Sequence, residues 1–332
     1  MFERVWTYPI CHRFGAFAAD GDECFVAARR TKLASLNSRT GLLRWSAAIE
    51  GPYGWIAFNE KFVFYLNPGA SLIAVDRRTG ETSWSREVSR WSGWLHALEN
   101  FVVVGGWRDY SDIFVMDAGD GRICWSKSGR YGELHSTRIH ADSKTLVVAD
   151  LKERRIRFLR LADGVELSQS SVHWDVPYTE RPAGTTRSGE PLVIQSTPHQ
   201  FLVITGTNPD IDAVAVEPEI WSQNVSTSGS VVPFLTSERR LLAWHLVDRR
   251  LLNFGLLEHN RRDSLPFCQI SAESFVVGTS FGELRHLSRF GEATARRKVG
   301  KRIATGVSLA GTIAVCGTDS GELIGVDTDF GG

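Results

Sequence analysis

The stretch Val75–Trp84, which reads VDRRTGETSW, is one copy of a phrase that recurs along the chain. The other clear copies are LNSRTGLLRW at 36–45 and MDAGDGRICW at 116–125. Weaker copies are LRLADGVELS at 159–168, LSRFGEATAR at 287–296 and the truncated VDTDFGG at 326–332. The phrases stand about 40 residues apart, except for an interval of about three periods between Gly164 and Gly291. Two degenerate copies in that interval would give eight units across the 332 residues.

Each unit has the composition of a set of short strands. In the second copy, apolar runs at Lys61–Leu66 and Ser71–Val75 precede the turn, and Glu81–Val88 follows it. Runs of this kind, bounded by Gly, Asn, Asp and Pro, are strand and hairpin signals. The glycine of the phrase supplies a positive φ, and Asp76 can accept hydrogen bonds from the turn's own amides. Several strands in a period of about 40 residues predict a β-propeller.

The two ends of the chain predict how the propeller closes. The segment FERVWTYPI at 2–10 carries Trp6 without a preceding phrase, and the last copy stops where its outer strand should begin. We therefore predict an all-β protein with one eight-bladed propeller of four-stranded antiparallel blades, in which residues 2–9 complete the last blade and leave no open edge. Seven blades are the alternative. We expect one domain over residues 1–332, with an inserted loop at about 173–191.

The D-x-x-T-G-x-x-x-W phrase resembles the tryptophan-docking repeat of the PQQ-like β-propellers, which include quinoprotein dehydrogenases and BamB-type assembly lipoproteins. The resemblance implies that the Trp of one blade packs on the turn of its neighbour. The residues that match or approach this position are Trp6, Trp45, Trp84, Trp125 and Trp221. The adjacent cysteine pair of the quinoprotein dehydrogenases has no counterpart here, so we expect neither PQQ nor that activity.

Composition narrows the classes of partner. The formal net charge is zero and the pI is about 7.1, which does not favour nucleic acid or anionic membranes. The opening residues lack the apolar core of a signal peptide, and no apolar run is long enough to insert in a membrane. The cysteines are dispersed and form no CxxC motif. We therefore expect a cytoplasmic protein with reduced thiols. We expect no cofactor and no metal, because the DAGDG segment at 117–121 is the repeat's own turn and not a calcium loop.

One face of the predicted propeller is elaborated. The third-to-fourth-strand turns are short and uniform, whereas irregular insertions fall at the opposite ends of the strands. Six tryptophans lie outside the repeat phase, at Trp55, Trp91, Trp94, Trp107, Trp174 and Trp244. Insertions of repeat proteins are commonly placed on the binding face, and aromatic residues with Arg carry binding hot spots. The competing interpretation is that these tryptophans plug the mouth of the ring.

Two functions from different classes follow. The favoured hypothesis is a non-catalytic scaffold whose loops of blades two to five bind a protein or peptide. The partner-binding residues are predicted to be Trp55, Trp94, His96, Trp107, Arg108, Tyr110, His135, Trp174 and Tyr178. The alternative is a small-molecule-binding protein or an isomerase, cyclase or lyase with a pocket at the axial mouth. Its proton-transfer residues would be His96, His135, Glu133 and Asp109.

Overall fold

We analysed a computed structural model of the chain. The structure describes residues 3–10, 14–28, 31–50, 56–88, 94–105, 112–127, 137–139, 145–150, 153–171, 192–197, 199–205, 210–217, 219–220, 230–260, 265–271 and 273–328. Every regular element in these ranges is a strand, as the alternation and turn signals predict. Within the same ranges, no helix has the length and apolarity that crossing a membrane requires.

The strands are short and follow one another along the chain. They are β1 (Glu3–Pro9), β2 (Phe14–Asp20), β3 (Glu23–Ala28), β4 (Lys32–Asn37), β5 (Leu43–Ala48), β6 (Ile56–Phe58), β7 (Phe62–Leu66), β8 (Ser71–Asp76), β9 (Thr82–Glu87), β10 (Trp94–Ala97), β11 (Phe101–Gly105), β12 (Ile113–Asp117), β13 (Ile123–Lys127), β14 (Thr137–Ile139), β15 (Thr145–Asp150), β16 (Arg155–Arg160), β17 (Glu166–Ser171), β18 (Leu192–Thr197), β19 (Gln200–Thr205), β20 (Asp210–Ala215), β21 (Val231–Leu235), β22 (Arg240–His245), β23 (Arg250–Leu256), β24 (Phe267–Ser271), β25 (Ser274–Gly278), β26 (Glu283–Ser288), β27 (Ala293–Lys298), β28 (Ile303–Ala310), β29 (Ile313–Thr318) and β30 (Glu322–Asp327).

The chain divides into two compact units. The first unit comprises Met1–Ile49 with Val216–Gly332 and contains the sheets β2–β5, β21–β23, β24–β27 and β28–β30 with β1. The second unit, Glu50–Ala215, contains the sheets β6–β9, β10–β13, β14–β17 and β18–β20. All strand pairs are antiparallel hairpin neighbours except β1, which pairs with β30 (Trp6 lies opposite Gly325). The N-terminal strand therefore completes the C-terminal sheet, as the sequence predicts.

Apolar side chains from facing sheets form the core of each unit. In the second unit, Phe64 and Leu72 of one sheet pack with Val102, Val104 and Met116 of the next in a single buried cluster. The second strand β11 is buried from Val102 to Gly105, whereas the outer strand β17 alternates between half-buried and exposed residues. Within the second unit such clusters join β6–β9 to β10–β13 and β10–β13 to β14–β17. Within the first unit they join β21–β23 to β24–β27 and β24–β27 to the C-terminal sheet.

The repeated turn has the geometry that its residues predict. In the second copy, the Asp76 carboxylate accepts hydrogen bonds from the amides of Arg78 (2.8 Å) and Thr79 (2.9 Å), and the Gly80 amide donates to the Asp76 carbonyl at 2.8 Å. The Gly80 φ is 76°, in the left-handed region that glycine adopts without steric cost. In the first copy, Asn37 makes the same amide contacts as Asp76.

The tryptophan of one sheet contacts the turn of the following sheet. The Trp84 indole N–H donates to the Ala118 carbonyl at 3.0 Å, and a Cβ added at Gly121 would lie 2.6 Å from the Trp84 ring. Trp125 donates to the Leu161 carbonyl at 2.7 Å over Gly164 in the same way. Glycine is thus required at this position for two reasons. It adopts the positive φ of the turn, and it leaves room for the indole ring, which a Cβ would contact. In the first unit, Trp6 donates to the Ser38 carbonyl at 3.0 Å and covers Gly41.

The degenerate interval departs from the predicted four-stranded pattern. Among the described residues, the sheets β18–β20 and β21–β23 each have three strands. The segment LAWHLVDRRLLNF at 242–254 forms most of the β22–β23 hairpin. A Cβ at Gly291 would meet the Asn253 carbonyl oxygen at 2.3 Å and the Phe254 Cα at 2.9 Å. The backbone of β23 therefore covers the next turn, which a tryptophan side chain does elsewhere.

Candidate functional site

Three of the irregular connections begin or end at the same end of the β10–β13 sheet. Trp94, which begins β10, lies opposite Gly105, which ends β11, and Ile113 of β12 lies opposite Lys127, which ends β13. The chain therefore enters β10, crosses from β11 to β12 and leaves β13 at the same end. We call this the loop end of a sheet, where its first strand begins and its second strand ends. The opposite end, which carries the repeated turns, is the turn end.

The predicted binding residues lie mostly in connections that meet the loop ends. The connections are residues 51–55, 89–93, 106–111, 128–136 and 172–191. The loop end of the β14–β17 sheet has Thr137 opposite Val148 and Arg155 opposite Ser171, so segment 172–191 also starts from a loop end. The predicted residues that lie outside the described ranges are Trp55, Trp107, Arg108, Asp109, Tyr110, Glu133, His135, Trp174 and Tyr178.

The backbone fixes the start of the connection that carries Trp107 and Arg108. Gly105, the last residue of β11, has a φ of 139°, and an added Cβ would lie 2.0 Å from the carbonyl oxygen of Asp112. No side chain fits between two backbones this close, so glycine is required at this position. The pairing of Gly105 with Ile113 thus keeps the two ends of this connection close together.

His96 and Trp94 are the predicted site residues whose positions the structure describes. Both belong to β10, where His96 lies opposite Val103 and is half-buried. Trp94 is placed by its backbone pairing with Gly105, and its side chain lies outside the described part. The structure thus places His96 on the first strand of its sheet, two residues from the loop end. The carboxylate and the second histidine expected beside it are among the residues that the structure does not describe.

A polar network that the sequence did not reveal lies at the turn end of the β21–β23 sheet, beside the β22–β23 turn. The Ser230 hydroxyl is 3.2 Å from Nε2 of His245, and Nδ1 of His245 lies 3.3 Å from the Asp248 carboxylate. The Ser230 amide donates to Oε1 of Gln269 at 2.7 Å, which joins the sheet to β24 of the next one. Gln269 in turn donates to the Ser271 carbonyl at 3.0 Å.

Ser230, His245 and Asp248 are the residue types of an acyl-transfer triad. The hydrogen bonds, however, place the imidazole proton of His245 on the nitrogen that faces the serine. Nδ1 of His245 accepts a hydrogen bond from the Asp248 amide at 3.1 Å. The ring proton of the neutral imidazole is therefore on Nε2, which donates to Ser230 and leaves no lone pair to take the hydroxyl proton. A serine nucleophile needs the opposite arrangement. The network holds the β22–β23 turn against the adjacent sheet.

Ionisable groups show no metal-binding arrangement within the described ranges, where no group of three or more His, Cys, Asp or Glu side chains converges on one point. Burial raises the pKa of the Cys24 and Cys316 thiols to about 12, so neither is a nucleophile at neutral pH. Burial also lowers the pKa of His286, whose Nδ1 contacts the Thr294 hydroxyl. These groups are strand residues with structural contacts.

Repeated antiparallel sheets with tryptophan-covered turns define the chain as a β-propeller protein of the PQQ-like repeat class. The family model described as outer membrane protein assembly factor BamB matches residues 3–93 and 53–235. The chain belongs to this family. A search of curated proteins gives no significant match.

Solved structures share the fold over the whole chain. BamB from Moraxella catarrhalis has 17% sequence identity and a TM-score of 0.73, with 100% of this chain and 99% of that chain covered. Sqt1 from Saccharomyces cerevisiae has 12% identity and a TM-score of 0.71, with 98% and 99% covered. Quinohemoprotein alcohol dehydrogenase from Comamonas testosteroni has 12% identity and a TM-score of 0.66, with 98% and 76% covered. At these identities the likeness is one of fold.

Proposed function

We propose that this protein is a non-catalytic scaffold that binds a protein or peptide partner through the connections at its loop ends. The observation that carries the proposal is the common origin of three connections at one end of the β10–β13 sheet, through the pairs Trp94–Gly105 and Ile113–Lys127. These connections contain Trp91, Trp107, Arg108 and Tyr110 in the sequence. Aromatic residues and arginine on a rigid support are the side chains that dominate binding energies.

A protein partner also agrees with the family. The matching model is described as an assembly factor, a role that consists of contacts with other proteins. The polar network around His245 does not supply a base for Ser230, so it adds no support for hydrolysis. The support therefore favours surface recognition over chemistry.

We further propose that the sheets form one closed eight-bladed domain, in which the Trp residues act as docking contacts between blades. The pairing of β1 with β30 supports this, because a strand supplied by the N-terminus removes the exposed edge of the C-terminal sheet. Closure would hold the loop ends in fixed positions and so reduce the ordering cost of binding. The cytoplasmic location remains a prediction, which fractionation with compartment markers would test.

Native mass spectrometry of the protein purified from its own host tests the binding function. We expect a stoichiometric polypeptide that is retained by wild type and lost by Trp107→Ala. Leu42→Ala is the matched control, since Leu42 is 68% exposed at a repeated turn, at the opposite end of its sheet, and this variant should retain the polypeptide. A bound small molecule that is retained by Trp107→Ala and lost by His96→Ala would contradict the scaffold and favour an axial pocket.

A further inference from the structure

Strand β27 ends its sheet, and the structure determines which of its backbone groups point outward. The sheet order is β24-β25-β26-β27, so within the described residues one edge of β27 has no paired strand. The Val299 amide donates to the Gly282 carbonyl at 2.9 Å, and Lys298 and Arg296 lie opposite Glu283 and Arg285. Hydrogen-bonded and non-bonded pairs alternate in antiparallel sheets. The N–H and C=O groups of Arg296 and Lys298 therefore point away from β26.

The same two residues carry exposed cationic side chains. Arg296 and Lys298 are both exposed and, being two apart, lie on one face of the strand. The Lys298 ammonium donates to the Phe281 carbonyl, which leaves two of its three N–H donors for another acceptor. Ala293 to Thr318 contains no acidic residue, and its basic residues are Arg296, Arg297, Lys298, Lys301 and Arg302. This edge is thus positive although the chain has zero net charge.

Equivalent positions of the other repeats lack this charge. The eighth residue after the glycine of the phrase donates its backbone amide hydrogen inward, to its own sheet, in three copies: Ile49, Val88 and Val299. Because inward and outward groups alternate, the backbone groups of the fifth and seventh residues point outward. These residues are Ser46 and Ala48 in β5, Ser85 and Glu87 in β9, and Gln169 and Ser171 in β17. The positive pair is therefore a feature of β27 and not of the repeat.

An exposed aromatic residue adjoins the charged edge. Phe281, in the turn between β25 and β26, is 54% exposed, and its carbonyl receives the Lys298 ammonium. A single exposed Phe is unremarkable by itself, and this one lies on the β26 side of β27, because the Val299 amide bonds inward to Gly282 of the same turn. The outer edge is therefore defined by Arg296 and Lys298 and not by this ring.

We propose that the outer edge of β27 binds an extended acidic segment of a protein partner by strand addition. The outward backbone groups of Arg296 and Lys298 pair with the peptide backbone, and their side chains pair with alternate carboxylates. Charge complementarity selects the occupant, since these positions are uncharged or acidic in the other copies. This inference rests on the proposed function in requiring a protein partner, but it concerns a surface separate from the loop ends.

Fluorescence anisotropy with a short N-acetylated peptide of alternating threonine and glutamate tests the proposal. We expect saturable binding that weakens with salt, and a loss of affinity of about two- to thirty-fold in Arg296→Ser/Lys298→Ser, as two exposed ion pairs allow. Ser85→Ala/Glu87→Ala is the matched control on β9 and should bind like wild type. The same peptide N-methylated at alternate amides keeps its charge but cannot add to a sheet, so it should bind more weakly by a similar factor.

Several results would overturn the inference. Equal affinity for the N-methylated peptide would mean that charge alone attracts it. Tighter binding of a short single-stranded RNA at the same salt concentration would assign the edge to nucleic acid. Unchanged peptide binding with self-association of Arg296→Ser/Lys298→Ser would mean that the charges only guard the edge. Trp107→Ala should bind the peptide normally, so failure at this edge is distinguishable from failure of the loop-end function.

Discussion

The indole nitrogen of Trp84 donates a 3.0 Å hydrogen bond to the carbonyl oxygen of Ala118, which belongs to the turn of the following sheet. The ring is 8% exposed and lies in the core cluster shared by the two sheets. One side chain thus contributes apolar burial, a satisfied buried donor and coverage of Gly121. In the second unit, the phrase thus joins β6–β9 to β10–β13, and through Trp125 it joins β10–β13 to β14–β17.

Trp84→Ala should lower the free energy of unfolding by about 3–5 kcal/mol, the usual cost of removing a buried aromatic side chain. Trp84→Phe keeps most of the apolar contact and loses the hydrogen bond to Ala118, so it should cost clearly less. Urea unfolding followed by circular dichroism measures both variants.

Trp107→Ala is the informative comparison for the core substitution. Trp107 lies in a loop-end connection, and we expect a change within about 0.5 kcal/mol, as for surface substitutions. If Trp107→Ala were the more destabilising of the two, the assignment of Trp84 to the core and of Trp107 to a binding loop would be wrong.

The carboxylate of Asp76 makes stability depend on pH. The amides of Thr79 and Arg78 lower the pKa of this group below its usual value. Because the folded pKa is lower than the unfolded one, its stabilisation is present above about pH 4 and is lost as pH falls through the folded pKa. Asp76→Asn keeps the acceptor, as Asn37 does in the first copy.

We therefore expect wild type to melt above Asp76→Asn at pH 7, with the difference shrinking as the pH falls below about 4. Thermal melts at pH 7 and at pH 3 measure this. A difference in melting temperature that is the same at both pH values would show that the charge of Asp76 does not stabilise the turn.

Sequence and structure agree best where local chemistry decides the conformation. The Asp, Thr and Gly of each phrase predict the turn, and Gly41, Gly80, Gly121, Gly164 and Gly291 all have the expected positive φ. The replacement of a tryptophan by β23 over Gly291 was not predictable, because the Asn253 and Phe254 contacts are made by backbone. The network of Ser230 with Gln269 was missed for a related reason: residues 39 apart meet only once neighbouring sheets pack.

The candidate site could be predicted only as a location. Strand pairing confirms that residues 94, 105, 113 and 127 lie at one end of their sheet, so the neighbouring connections share an origin. Trp107, Arg108 and Tyr110 belong to a connection that lacks the repeat phrase. No local sequence rule fixes the conformation of such a connection, so the contacts of these side chains could not be predicted. Their role as anchors of a partner remains a prediction.

Thiol reactivity reports the packing of the first unit. Cys24 and Cys316 are fully buried, and burial raises the pKa of each thiol to about 12, whereas Cys124 is half-buried. A variant that keeps only Cys24 and Cys316 should not react with iodoacetamide at pH 8 until it unfolds, since the thiolate is the reactive form. A variant that keeps only Cys124 is the control and should react faster. Rapid labelling of Cys24 in the folded protein would contradict the packing.

The central claim, that the N-terminal strand completes the C-terminal sheet, is tested most directly by removing residues 1–9. This deletes the strand paired with β30 and the Trp6 ring that covers Gly41 and Gly325. We expect a cooperative loss of stability, measured as a fall of the thermal midpoint, and alkylation of Cys24 and Cys316 in a protein that keeps its β-sheet circular dichroism. Trp6→Ala in the full-length chain should produce a smaller shift in the same direction. An unchanged midpoint with both thiols still protected would contradict the account.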